Sequence, residues 1–339
     1  MVAKILVDSG ADVNTTSKAG VTPLYLASQN GHLEVVIYLV EQGADVHAAD
    51  KDGLNALILA SAEGHQNVVS LLLNHGADLN AADNNGDSSL HYASSNGHLS
   101  VAKNLVDSGA DVNTTSKAGV TPLYRASENG HLEVVSYLFE QGADVHAADK
   151  DGLNAFILAS MKGHQNVISF LLNHGADLNA VDNYGNSSLH YASRNGHIMV
   201  AKILVDSGAD VNTTSKAGVT PLYLARHQNV VSLLLNHGAD LNAADSYGDS
   251  SLHYASLNGH LSVAKNLVDS GADVNTTSKA GVTPLYRASQ NGHLEVVSYL
   301  VEQGVDVNAA DKDGLNAFIL ASMNGHQNVV SFLLNHGAD

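Results

Sequence analysis

The sequence predicts an all-α solenoid, built from stacked helix-turn-helix units with hairpin loops. Three observations support this fold class. The segment 17–49 recurs along the chain at a period of 33 residues, each copy carries two short helical patterns, and all 30 glycines fall at three positions of the repeat. Because two short helices cannot bury an apolar face alone, such units are stable only when they stack on neighbours.

The first helix of the unit has clear start and stop signals. Thr22 is a good N-cap residue because its hydroxyl can accept a hydrogen bond from a free backbone N–H. Pro23 occupies the first helical position, where a missing N–H costs nothing. Gly31 is the residue best able to take the left-handed conformation that ends a helix. The sequence therefore predicts a short first helix between Thr22 and Gly31.

The second helix is predicted over 33–42. Val35, Val36, Leu39 and Val40 form one apolar stripe at helical spacing, and glutamates occupy the opposite face. Gly43 ends this helix. The extended segment that follows leads to a turn with glycine at its fourth position, which suits a hairpin loop.

Three variants of the unit start at residues 17, 50 and 83, and their order restarts at 116, so the chain has a super-period of 99 residues. The predicted organisation is a partial repeat at 1–16, six repeats at 17–214, a shortened junction repeat at 215–244, two repeats at 245–310 and a truncated repeat at 311–339. Neither end shows the polar outer face of a capping repeat. We therefore expect a piece of a longer array or a truncated reading frame, with end-to-end self-association through apolar end faces.

The motifs of the unit identify a family. With Thr-Pro-Leu-Tyr at 22–25, Ser-Ser-Leu-His at 88–91, Asn-Gly-His at 30–32 and Gly-Ala-Asp-Val-Asn at 109–113, the unit resembles the ankyrin repeat over nearly the whole chain. The resemblance implies that a concave groove and the hairpin tips bind partner proteins. It also implies that loop asparagines such as Asn80 and Asn113 are candidates for hydroxylation.

Composition excludes several function classes. The chain has no cysteine, so disulfides, thiol nucleophiles and zinc-thiolate sites are impossible. A net charge of −18 argues against nucleic acid as a partner and mildly favours basic proteins. No stretch approaches the ~20 apolar residues of a membrane span, and no signal peptide is evident. We expect a soluble, intracellular, cytoplasmic chain without membrane insertion.

Histidine is the only abundant residue type suited to catalysis or metal binding. All 19 histidines fall at four positions of the repeat, whereas a metal or catalytic site needs a unique local convergence. A residue present in every unit is scaffolding, and the resemblance implies that most of these histidines bond backbone groups. We therefore predict no catalytic residue, no metal, no cofactor and no enzyme activity.

Candidate partner-binding residues come from comparing copies of the same variant, because differences show where the fold does not force identity. The differences concentrate at the C-terminal ends of first helices and at hairpin tips. The candidates are Met161, Tyr184, Arg194, Tyr247, Leu257, Met323, Glu128 and Asn85. Drift on an exposed surface is the alternative explanation.

The function predicted from these observations is a non-enzymatic scaffold that binds a partner protein through the groove and hairpin tips. Two alternatives stay open. Near-identical copies favour a mechanical or spacer solenoid, and the incomplete ends favour the repeat arm of a larger enzyme or channel.

The junction repeat at 215–244 has lost three residues, including the glycine between its helices. The segment from Leu222 to Leu235 contains neither glycine nor proline, so local propensity favours one fused helix. The alternative is a shortened first helix followed by a strained reversal at Arg226 and His227. We expect the fused helix, which would leave two arrays joined at an angle.

Overall fold

The computed structural model describes residues 8–339, so residues 1–7 of the expected partial repeat at 1–16 lie outside the described part. The chain forms two compact units, one ending at Asp177 and the other spanning 178–339. Over the described residues both units consist of helix pairs and hairpin loops, with isolated antiparallel bridges such as that between Ala49 and Asn55 and no sheet. The all-α solenoid prediction is confirmed.

Twenty helices are fully bounded within the described residues, and each odd-numbered helix is the first of its repeat. They are α1 Pro23–Gln29, α2 Leu33–Glu41, α3 Ala56–Ala62, α4 Gln66–Asn74, α5 Ser89–Ser95, α6 Leu99–Asp107, α7 Pro122–Glu128, α8 Leu132–Glu140, α9 Ala155–Lys162, α10 Gln165–Asn173, α11 Ser188–Asn195, α12 Ile198–Asp206, α13 Pro221–Leu224, α14 Gln228–Asn236, α15 Ser251–Leu257, α16 Leu261–Asp269, α17 Pro284–Gln290, α18 Leu294–Glu302, α19 Ala317–Met323 and α20 Gln327–Asn335.

Within each unit, first helices pack on first helices and second helices on second helices of adjacent repeats. The core lies between these two rows. In α2, for example, Val36 and Leu39 are buried, as the apolar stripe predicts. Each repeat thus buries its stripe against neighbours rather than within itself.

The predicted caps are present. The Thr22 hydroxyl accepts from the Tyr25 N–H at 3.1 Å, and in the second variant the Asn55 side chain accepts from the Ile58 N–H at 2.9 Å. The third variant uses a different arrangement, because both the backbone N–H and the hydroxyl of Ser88 bond Nδ1 of His91. A histidine at this position therefore completes the cap that serine begins.

The glycine between the two helices meets two requirements at once. Gly97 has φ of 76°, a conformation that other residues rarely adopt. A Cβ added there would also lie 2.5 Å from the ring of His131 in the next repeat. Gly109, at the end of a second helix, needs the positive φ alone, since a Cβ there would meet nothing within 4 Å. The inter-helix glycine is thus part of the interface between repeats.

The prediction of a fused helix at the junction repeat is wrong. Helix α13 ends at Leu224 and α14 starts at Gln228, so the two halves stay separate. The chain reverses through extended backbone, with φ and ψ of −64° and 121° at Ala225 and of −125° and 127° at His227. Within the described residues only glycines have positive φ, so no residue of this reversal adopts the strained left-handed conformation.

Packing on the neighbouring repeats explains why the helices do not fuse. Helix α13 packs on α11 and α15, and α14 packs on α12 and α16. Leu222, Val230 and Leu234 are consequently buried. Burying one such side chain stabilises the fold by about 1.5–3 kcal/mol, whereas helix propensities differ by under about 1 kcal/mol per residue. Within 178–339 the stack therefore continues through the junction repeat, and the expected break is absent.

Candidate functional site

The backbone of each hairpin tip is fixed by the first residue of the loop, which is aspartate in the second and third variants and serine in the first. Asp83 Oδ1 accepts from the backbone N–H groups of Asn85 and Asp87, both at 2.8 Å. Its other oxygen, Oδ2, accepts from the Tyr92 hydroxyl at 2.9 Å. The backbone carbonyl of Asn85 then accepts from the N–H of Lys117 in the next hairpin at 2.8 Å. Successive hairpins are thus joined, and their tip side chains project from a fixed backbone.

Two of the candidate residues are large side chains at these tips. Tyr184 is 67% exposed and Tyr247 is 72% exposed. The backbone of Tyr184 is fixed at both ends, since its N–H donates to Asp182 Oδ1 and its carbonyl accepts from the N–H of Lys216. Asn85 is the exposed residue at the same position in the unit that ends at Asp177. The fold therefore displays these side chains without using them for packing.

The candidates at the ends of first helices differ in solvent exposure and in packing. In the unit 178–339, Arg194 is exposed, Leu257 is half-buried and Met323 is 67% exposed. In the other unit, Met161 packs against the cluster of Val120, Tyr124 and Leu158.

Glu128 is also engaged by neighbouring side chains. Its carboxylate pairs with Arg125 at 3.4 Å and with Lys162 at 3.8 Å. Of the eight candidates, Met161 and Glu128 therefore have roles inside the fold that copy comparison did not detect.

Asp–Arg pairs between adjacent repeats were missed by the sequence reasoning. Arg125 Nη2 lies 3.1 Å from Asp87 Oδ2, and Arg287 Nη2 lies 2.8 Å from Asp249 Oδ2. The first pair borders a cleft of about 190 Å³ on the side of the first helices. Oppositely charged side chains that cross from one repeat to the next could have been found in the sequence.

The sequence signal is a correlated change between copies. Asp87 and Asp249 are each followed, in the next repeat, by Arg125 and Arg287, whereas the equivalent Asn186 is followed by Leu224. Asn186 bonds Asp182 Oδ2 in its own hairpin at 3.1 Å and does not need a cation. The aspartate and its arginine partner are thus either both present or both replaced along the chain.

We expect the Asp87–Arg125 pair to show energetic coupling. Arg125→Leu should cost about 1–3 kcal/mol because Asp87, only 8% exposed, loses its ion-pair partner. Adding Asp87→Asn should restore most of this loss, because the double variant recreates the Asn186 and Leu224 combination. Urea denaturation of both single variants and the double variant measures the coupling. Strictly additive losses would mean that the correlated change has no energetic basis.

Histidines at two of the four repeat positions hold repeats together. His65 Nε2 lies 3.0 Å from the carbonyl oxygen of Gln29 in the preceding repeat, and equivalent contacts recur in both units. His91 accepts from the Ser88 N–H at Nδ1, so Nε2 carries the proton and donates to the Val120 carbonyl of the next repeat at 2.9 Å. Burial lowers the pKa of His91, His190 and His253, partly offset by this backbone hydrogen bond. These rings are structural and neutral.

The two asparagines that the resemblance singles out differ in their contacts. Asn113 bonds the next repeat twice, since Nδ2 donates to the Gly142 carbonyl at 3.1 Å and Oδ1 accepts from the Asp144 N–H at 2.8 Å. The backbone N–H of Asn80 bonds Asp78 in its own loop. The Asn113 side chain therefore contributes to stacking.

Residues 8–339 contain neither a membrane-spanning helix nor a metal-binding cluster. No helix in that range is long and apolar enough to cross a membrane. No group of three or more His, Cys, Asp or Glu side chains there is arranged to hold a metal ion.

Comparison with known proteins identifies a family. No curated protein matches the sequence. A family model described as ankyrin repeats (3 copies) matches in six overlapping segments, 1–83, 42–116, 80–149, 123–215, 210–278 and 271–339. Ankyrin repeats generally mediate protein–protein interaction and are typically non-enzymatic. Since these matches cover the whole sequence, the chain belongs to the ankyrin repeat family.

Proposed function

We propose that this chain is a non-enzymatic scaffold that holds a partner protein through its hairpin tips and first-helix ends. The observation that carries the proposal is the exposure of Tyr184 and Tyr247 on tips whose backbone is fixed. Tyrosine is enriched at interface centres because it offers a large contact area with little conformational freedom to lose. A rigid backbone lowers the entropic cost of binding further.

Arg194 and Met323 extend this surface within the unit 178–339. Both are exposed, and both are types favoured at interfaces. A spacer would need no such side chains, and Asn85 shows that the tip accepts a small polar residue instead. The change from Asn85 to tyrosine in two later copies therefore favours binding over a spacer role.

The experiment replaces both tip tyrosines by asparagine, the residue at the same position in the repeat that starts at 83. Tyr184→Asn/Tyr247→Asn should keep the fold, because Asn85 occupies the same position. Affinity capture with the wild-type chain, followed by quantitative mass spectrometry, identifies partners. We expect enrichment of a direct partner to fall about tenfold or more in the double variant, since each interface tyrosine is worth about 1–2 kcal/mol or more.

The control is Met199→Ser, which removes a 55% exposed side chain from α12, a second helix. This variant should capture the same partners as the wild-type chain. Partners retained equally by the tyrosine double variant and by a further Arg194→Ala variant would place the binding surface elsewhere.

A further inference from the structure

The second helices form two equivalent clefts, one in each unit. The first lies among α6, α8 and α10 and has a volume of about 410 Å³. The other lies among α16, α18 and α20 and has a volume of about 390 Å³. Each cleft is lined by residues at the same repeat positions, so the same local sequence builds both. Volumes in this range are typical of ligand pockets.

The floor of each cleft is apolar. Leu132 and Phe170 line the first cleft, and Leu294 and Phe332 line the second. Phe170 is held edge-on to Phe139, with ring centroids 5.8 Å apart. An aromatic wall that is fixed in place suits an inserted apolar side chain.

These clefts differ at two residue positions from the corresponding surface of the repeats at 17–82. Ser136 and Ser298 stand where the first copy has Ile37, and Phe170 and Phe332 stand where it has Leu71. A small residue on one side leaves room, and a large aromatic residue on the other gives a wall. The two changes occur together in both copies.

The rim of each cleft is acidic. In the first, Glu133 and Glu140 are exposed, and Glu140 accepts a hydrogen bond from the Ser136 hydroxyl at 3.3 Å. The second cleft repeats this arrangement, with Ser298 donating to Glu302 at 3.4 Å. The serine thus holds a carboxylate beside the apolar floor.

The lysine in each cleft is already engaged. Lys103 Nζ lies 5.5 Å from the centroid of the Tyr137 ring, and Lys265 makes the same contact with Tyr299. A lysine over an aromatic ring is held there by the ring electrons. The two glutamates therefore remain available to an incoming cation.

We propose that the two clefts are equivalent docking sites for a basic segment of a partner protein. The segment inserts one apolar side chain against Phe170 or Phe332 and places Lys or Arg beside the rim glutamates. A second copy of this acidic chain, with its net charge of −18, would be repelled at the same place. The sites are formed by second helices and are thus separate from the tyrosine tips of the proposed function.

The test uses a fluorescein-labelled amphipathic helical peptide composed only of Leu and Lys, titrated calorimetrically into the full chain. Wild type should bind two peptides per chain, Ser136→Arg should bind one, and Ser136→Arg/Ser298→Arg should bind none. The arginine fills the cleft and removes the bond that holds the glutamate. Phe170→Leu/Phe332→Leu, which copies Leu71, should keep two sites and weaken both several-fold.

Ile37→Arg is the matched control, because it adds the same charge at the same repeat position outside the two clefts. It should still bind two peptides, and a peptide of Leu and Glu should not bind to any variant. Equal loss of binding in Ile37→Arg and Ser136→Arg, or no loss in the double variant, would overturn the proposal. Sedimentation that shows a wild-type dimer dispersed by the double variant would identify a second copy as the occupant, and the basic-peptide proposal would be wrong.

Discussion

Acidification from pH 6.5 to pH 5.5 is expected to destabilise this chain by up to about 3 kcal/mol. The cause is the set of His91, His190 and His253, each no more than 1% exposed. A site that stays neutral in the folded state, while the unfolded histidine titrates near 6.5, loses about 1 kcal/mol between pH 6.5 and pH 5.5, because the unfolded histidine is already half protonated at pH 6.5. Three such sites give the expected total.

The direction follows from the lowered pKa of these rings. Burial disfavours the charged form, and Nδ1 already accepts two hydrogen bonds from the serine cap. The unfolded chain therefore binds more protons than the folded chain below pH 6.5. The stability that these sites provide is complete above pH 6.5 and is lost as pH falls below it.

Carboxylates act in a separate range. Burial alone would raise the pKa of Asp182, but hydrogen bonds from Tyr191 and from two nearby residues lower it overall. The stability from such a group is present above its ordinary pKa of about 3.8 and is lost only at lower pH. Loss between pH 6.5 and pH 5 is thus attributable to histidine.

Urea denaturation followed by circular dichroism at pH 7.5, 6.5 and 5.5 measures the effect. The triple variant His91→Gln/His190→Gln/His253→Gln should be less stable at pH 7.5 and should lose most of its pH dependence down to 5.5, with a remainder from His260, whose pKa is lowered by burial and by Arg226. His146→Gln changes an exposed loop histidine and should retain the wild-type pH dependence. A triple variant with the full wild-type slope would assign the pH dependence to other groups.

Most of the fold could be predicted because the same helix-start, helix-end and apolar-stripe patterns recur from repeat to repeat. Thr22 and Pro23 start α1, Gly31 follows its end, and the apolar stripe defines α2 to within one residue of the predicted 33–42. Each of these signals is local, and each is confirmed by its own hydrogen bond or burial. Stacking then follows from the inability of one repeat to bury its stripe.

The binding surface could be predicted only in part, because exposure depends on neighbouring repeats. Copy comparison identified both Tyr184 and Met161 as variable, yet the first is displayed and the second is packed against Tyr124 and Leu158. Sequence variation between copies does not by itself distinguish an exposed surface residue from one that packs against a neighbouring repeat. The Asp87–Arg125 pair could have been found from the linked change to Asn186 and Leu224.

The error at the junction repeat came from the relative weight given to local and tertiary terms. Propensity favours helix through 222–235, but a fused helix would draw Leu222 or Val230 away from the repeats on either side. Burial of those side chains is worth more than the propensity of the linking residues. In the structure both helices of the junction repeat still pack on their neighbours, and the glycine turn between them is missing.

Restoring that turn is expected to stabilise the unit 178–339 by about 3 kcal/mol. The junction joins the first half of a first-variant repeat to the second half of a second-variant repeat, and Arg226 stands where the second variant has Ser-Ala-Glu-Gly at 61–64. Replacing Arg226 by Ser-Ala-Glu-Gly therefore rebuilds the missing end of the first helix and its glycine. Helix α13 should lengthen from the four residues observed to the seven of α3.

The expected gain has a specific source in the next repeat. His260 Nε2 and Arg226 Nε are buried and have no hydrogen-bond partner within the described residues. In an intact repeat the equivalent His293 Nε2 lies 3.0 Å from the Leu257 carbonyl, at the end of the preceding first helix. The deletion removes that carbonyl. Each buried polar group left without a partner costs about 1–3 kcal/mol, and the repair removes two.

Urea denaturation and far-ultraviolet circular dichroism test this expectation. The repaired chain should have a higher midpoint, a steeper transition and greater helicity, because repeats couple through their nearest neighbours and the weakest interface limits cooperativity. Arg226→Ala is the control: it removes the unpaired Nε without restoring the turn, so it should recover less than half of the gain. A repaired chain no more stable than Arg226→Ala would show that extended backbone at 225–227 joins the helices as well as the glycine turn does.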